Sequence, residues 1–99
     1  MRPLEEQAIL VTGATDGLGK ALATRLASGD ATVVLHGRDN ARGQRTVDEI
    51  RDSTGNDRLR WYRADFAALD EVREMADRVA RDEPRLDALV NNAGIGVTL

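Results

Sequence analysis

The 99-residue sequence contains no cysteine, one histidine and one lysine. Without cysteine there are no disulfides, no thiolate metal sites and no thiol nucleophile. His36 has no second histidine or cysteine with which to hold a metal, so a structural or binding-rim place is expected for it. Aromatic side chains are scarce, with only Trp61, Tyr62 and Phe66 present. No apolar run approaches the roughly 20 residues of a membrane-spanning helix. The first apolar segment starts within ten residues of Met1, so a secretory leader is not expected. A soluble, cytoplasmic protein without membrane contact is expected. There is no basic excess either. Lys and Arg total 14 against 17 Asp and Glu, the net charge is −3, and charges are spread along the chain. A nucleic-acid partner is not expected.

What is present is a regular alternation. Short apolar runs at 8–11, 31–36, 59–64 and 86–90 read as strands. Between them, 17–28, 41–53 and 69–81 carry helical patterns. Residues 1–7 read as a polar lead-in. Leu18, Ala21, Leu22, Arg25 and Leu26 fall near one side of the first helix, whose apolar members are expected on the sheet. Gly29 is placed to end that helix as a C′ residue. Asp39 or Asn40 is placed to cap the second. The mixed character of 59–64 suits an edge strand. The order β-α-β-α-β-α-β predicts a parallel α/β sheet with right-handed crossovers. The expected strand order is 3-2-1-4, the first part of a doubly wound sheet.

The most informative stretch follows the first strand. Thr12-Gly13-Ala14-Thr15-Asp16-Gly17-Leu18-Gly19 places three glycines between a strand and a helix. Glycine permits the sharp turn, a close approach to the backbone and tight helix packing. The free N–H groups of the helix start suit a pyrophosphate. After the fourth strand comes Asn91-Asn92-Ala93-Gly94. The TGxxxGxG spacing together with NNAG resembles the short-chain dehydrogenase/reductase family, over about residues 8–95. An epimerase-like relative would show TGxxGxxG, and the three residues between Gly13 and Gly17 argue against it.

The resemblance implies a partial Rossmann-type sheet that binds a nicotinamide dinucleotide. It implies cofactor contacts from Gly13, Thr15, Asp16, Gly17, Leu18 and Gly19. Family members often have a basic residue at the position of Asp16, so a capping role competes there. The family's cofactor selector lies just past the second strand. Gly37 stands where the acid that selects NAD usually sits, and Arg38 where the cation that selects NADP sits. Gly37 is expected to leave space for the 2′-phosphate beside Arg38. NADP(H) is therefore the expected cofactor, with NAD(H) possible through Asp39. Asp65 and Phe66 would meet the adenine, with a turn or cap role as the alternative for Asp65. Asn92, Ala93 and Gly94 would flank the cofactor ribose, with an ordinary turn as the alternative.

The family's catalysis uses a later serine and a tyrosine followed, after three intervening residues, by lysine. Here the one tyrosine is Tyr62 and the one lysine is Lys20, which cannot form that pair. No catalytic residue is therefore assigned. The expectation is that residues 1–99 are the N-terminal portion of an NAD(P)-binding domain, inactive alone. The full-length enzyme would be an NADP(H)-dependent oxidoreductase, expected to be a homo-oligomer, acting on a carbonyl or alcohol substrate. The rival is a stand-alone, non-catalytic binding or regulatory module. In residues 1–99 alone the fourth strand is expected to be an exposed apolar edge with only the third helix on one face of the sheet, and the rival would need that edge sealed, for instance by dimerisation.

Overall fold

The computed structural model describes residues 2–92. Its elements are β1 (Ala8–Val11), α1 (Gly17–Ser28), β2 (Thr32–Gly37), α2 (Asn40–Thr54), β3 (Leu59–Arg63), α3 (Leu69–Asp82) and β4 (Ala88–Val90). The polar lead-in holds one 3-10 turn, Leu4–Glu6, which the sequence reading missed. Leu4 packs partly on the core and supplies its reason. The four strands form one parallel sheet in the order β3-β2-β1-β4. This is the Rossmann-like α/β arrangement that the alternation predicts.

Strand alternation divides the apolar residues between two layers. Ile9, Val11, Val33, Leu35 and Leu59 face α1 and α2, where they meet Ala23, Ala27, Val47 and Ile50. Leu10, Val34 and Tyr62 face the other way, with Met75 and Val79 of α3. The α3 face is thinly covered. A cleft of about 530 Å³ lies there, lined by Leu10, Met75, Val79, Leu86 and Leu89 among others. Leu89 is 59 % exposed, as expected for an apolar strand at the edge.

Two details of α1 differ from expectation. Its buried stripe is Gly19, Ala23 and Ala27, whereas Leu18 is 74 % exposed. The helix lies so close to the sheet that its fully buried positions hold only glycine and alanine, while Leu26, as expected, packs half-buried against the core. Gly29 has φ −87°, and the left-handed residue is Asp30 at φ 68°. A Cβ at 29 would overlap the end of the Leu4 side chain, which would have to shift to admit it. The N-cap of α2 follows the sequence. Asp39 accepts a bond from the Arg42 N–H (3.2 Å), and Gly55 ends the helix at φ 74°.

Candidate functional site

All four strands end at one edge of the sheet, and the motif residues gather there. In open parallel sheets, this carboxyl edge is where ligands bind. The glycine loop leaves β1 through Thr12 and turns at Gly13 (φ 61°) and Gly17 (φ 55°). Such left-handed angles strain any residue with a Cβ.

Neighbouring strand ends hold the loop. Gly13 donates its N–H to His36 Nδ1 (3.0 Å), and Ala14 donates to the His36 carbonyl (2.8 Å). From β4, Asn92 Nδ2 donates to the Gly13 carbonyl (3.1 Å), and the Asn92 N–H donates to Thr12 Oγ1 (2.8 Å). The Asn92 motif and the glycine loop are thus one hydrogen-bonded unit. Gly19 lies beneath it. A Cβ at 19 would stand 2.6 Å from Asn92 Nδ2 and overlap the Gly13 carbonyl. Ala93 and Gly94 lie outside the described residues.

The start of α1 is left open. Asp16 occupies its N-cap position in extended backbone but makes no side-chain cap bond. Its carboxylate instead pairs with Arg42 at 3.6 Å. The cap role weighed for Asp16 is therefore not the one it has. Beside it, a Cβ on Gly17 would meet no atom within 4 Å. Among the described residues the Thr15 hydroxyl has no hydrogen-bond partner, and Leu18 projects into solvent in the first turn. Open helix N–H groups, bare glycine backbone and a free hydroxyl together suit a phosphate ester.

His36 joins the loop to β3. Its Nε2 bonds the Ala64 carbonyl (2.9 Å) while Nδ1 accepts from Gly13. One nitrogen must donate and the other accept, so the ring is neutral with its proton on Nε2. Burial lowers its pKa, which agrees with that form, although the bond to Ala64 partly opposes the shift. The ring stacks on Phe66, with centroids 4.0 Å apart. Asp65 precedes Phe66. Its Oδ1 accepts from the Ala67 N–H (2.9 Å), the turn role weighed as its alternative.

At the end of β2, Arg38 is exposed, and among the described residues its guanidinium has no partner. Asp39 is engaged as the α2 cap. The space beside Gly37 is not open as expected. A Cβ there would lie 2.7 Å from Trp61 Cη2 and 2.9 Å from Thr15 Cγ2. Trp61 also lies against Gly43, and its Nε1 donates to Asn40 Oδ1 (2.8 Å). The sequence reading missed Trp61 and Arg42. No motif spacing links either to the loop, and only the scarcity of aromatics marked Trp61 at all.

Tyr62 and Lys20 stand apart. The Tyr62 hydroxyl donates to buried Glu83 (2.8 Å), and Lys20 pairs with Glu49 (2.5 Å). Among the described residues there is no cluster fit for a metal ion, and no helix is long and apolar enough to cross a membrane.

Residues 7–99 match the sequence model of the short chain dehydrogenases. The chain is 41 % identical over 87 residues to mouse retinol dehydrogenase 13, covering 88 % of this chain and 26 % of that protein. It is 40 % identical over 95 residues to human dehydrogenase/reductase SDR family member 13, covering 96 % and 25 %. The chain therefore spans about a quarter of the length of these curated relatives. Among solved structures, a short chain dehydrogenase from Escherichia coli CFT073 complexed with NADPH superposes with a TM-score of 0.80 at 34 % identity, covering 89 % of this chain and 37 % of that one. A short chain dehydrogenase from Shigella flexneri 2a gives 0.82 at 33 % identity, covering 94 % and 42 %.

Proposed function

The chain belongs to the short chain dehydrogenase family, and on that premise we propose that residues 1–99 are the N-terminal, cofactor-binding portion of an NADP(H)-dependent oxidoreductase. The observation that carries the cofactor choice is the contrast at the end of β2. Arg38 is exposed and unpaired among the described residues, while the competing acid, Asp39, is tied into the α2 cap. A guanidinium matches a phosphate through paired charged hydrogen bonds. The neighbour complexed with NADPH supports the same reading.

In this reading the pyrophosphate lies over Gly17 and the open start of α1, with Thr15 as a hydroxyl donor. Asp65 and Phe66 line the adenine end. Asn92, Ala93 and Gly94 border the ribose. The dinucleotide, when bound, supplies or accepts the hydride exchanged with a carbonyl or alcohol substrate. This chain's residues bind and orient it. Proton transfer to the substrate oxygen belongs to residues beyond these 99, because Tyr62 and Lys20 are committed elsewhere.

Calorimetric titration with NADPH and NADH tests the proposal. NADPH should bind more tightly. Arg38→Ala should weaken NADPH by roughly 10- to 100-fold, the worth of one or two charged hydrogen bonds, and change NADH by no more than about threefold. Equal binding of both dinucleotides, or equal loss of both in the variant, would refute it.

A further inference from the structure

We propose that Trp61 is a specificity-determining residue for the dinucleotide, acting by occupying the space that a side chain at position 37 would need. The inference rests on the reading that this chain binds NADP(H) at the glycine loop. Choosing NAD takes an acid at the end of β2, aimed at the ribose hydroxyls. Position 37 is the last residue of β2. Its Cβ would point at the indole, 2.7 Å from Cη2 and 3.3 Å from Cζ3, with the Thr15 methyl at 2.9 Å on another side. Carbon atoms in ordinary contact stand roughly 3.5–4.0 Å apart. A carboxylate has further atoms, and these would have to pass through the ring.

The ring cannot swing aside cheaply. Its Nε1 is bonded to Asn40 Oδ1 at 2.8 Å, at the first residue of α2. Its six-membered portion lies over Gly43, where a Cβ would also overlap it. Two glycines, one on β2 and one on α2, thus form a slot, and a single indole from β3 fills it. With that slot closed and Asp39 held as a cap, the cation Arg38 is left to meet the 2′ position. Charge at Arg38 favours the phosphate, and the packing of Trp61 excludes the opposing acid.

The test is a cycle of Gly37→Asp and Trp61→Ala, each variant and the pair titrated with NADPH and NADH. Gly37→Asp alone should lose at least about tenfold in affinity for both dinucleotides, because the acid displaces the indole and distorts the loop. The pair should prefer NADH, with the NADH-to-NADPH affinity ratio at least roughly 100-fold above wild type. If Gly37→Asp alone switches preference as fully as the pair, the proposal falls. It also falls if the pair folds and still prefers NADPH.

A second arm needs no cofactor. Gly37→Ala should lower the melting temperature by roughly 5–20 °C in the wild-type background, and by much less in a Trp61→Phe background. Equal costs in the two backgrounds would overturn the steric claim. Failure of wild type to bind either dinucleotide would count against the proposed function, and the melting arm would still decide whether the indole closes position 37.

Discussion

A methyl group at Gly19 should be among the most damaging additions to this molecule. In a solvent-exposed helix, Gly→Ala stabilises by about 1 kcal/mol. Here the added Cβ would stand 2.6 Å from Asn92 Nδ2 and 2.9 Å from the Gly13 carbonyl carbon, with the carbonyl oxygen nearer still. Normal contact requires the loop to retreat by about an ångström. That retreat breaks the Asn92–Gly13 bond and pulls the Gly13 N–H from His36. Two hydrogen bonds are worth about 1 kcal/mol each, and overpacking adds about 1–3 kcal/mol. Less the helix-propensity gain, Gly19→Ala should destabilise by about 2–4 kcal/mol. For a domain of this size, that lowers the melting temperature by roughly 10–30 °C. Thermal and urea unfolding followed by far-ultraviolet circular dichroism measures it. Gly17→Ala is the comparison. It meets no atom within 4 Å but must hold φ 55°, so its cost is backbone strain alone, about 1–2 kcal/mol. If Gly19→Ala is neutral, or costs less than Gly17→Ala, the argument for close packing beneath the loop is refuted.

Three further outcomes follow from the same contacts. Burial holds the His36 pKa below its ordinary 6.5, so the unfolded chain takes up the proton first. Its contribution to stability is complete above pH 6.5 and lost as pH falls through the folded-state value. Urea midpoints should drop as pH falls below about 6.5, and the drop should shrink in His36→Asn; identical slopes would sink the claim. Burial and then the bond to Glu83 push Tyr62 from 10.0 up to about 12. Here stability is full below pH 10 and lost as pH rises towards 12, because the unfolded chain ionises first. Tyr62→Phe should abolish that alkaline loss and cost about 1–3 kcal/mol at neutral pH, since Glu83 loses its hydroxyl partner. Asp39→Ala should remove the α2 cap at a cost of about 1 kcal/mol, read as a lower melting temperature. If Asp39 does not select the cofactor, NADPH should still bind more tightly than NADH in that variant.

The architecture was readable because its signals are local and repeated. Continuous apolar runs such as Ile9–Val11 and Val33–Leu35 mark strands covered on both faces, and the intervening helices are long enough to be periodic. The mixed residues of β3 marked an edge, and it is one. The glycine loop and Asn92 were readable as motifs, and the structure ties them together through the Gly13 carbonyl. Where the reading of α1 failed, the cause was distance. Hydrophobicity pointed to Leu18, but a helix pressed onto the sheet selects for small size, and Gly19, Ala23 and Ala27 lie underneath.

The parts that escaped the sequence are contacts between elements that no spacing connects. His36 reads as a lone histidine after an apolar strand. Only the fold shows that it accepts from Gly13, bonds Ala64 and stacks on Phe66. Gly37 invited a functional explanation, space for a ligand, when the space holds a side chain of the protein itself. A glycine in a motif reports that something comes close to the backbone, and it does not report what. At Gly17 a Cβ would meet open space, and at Gly19 the loop's own carbonyl. At Gly37 and Gly43 it would meet the same indole. These glycines therefore separate into one facing the candidate phosphate position and three that shape the walls around it.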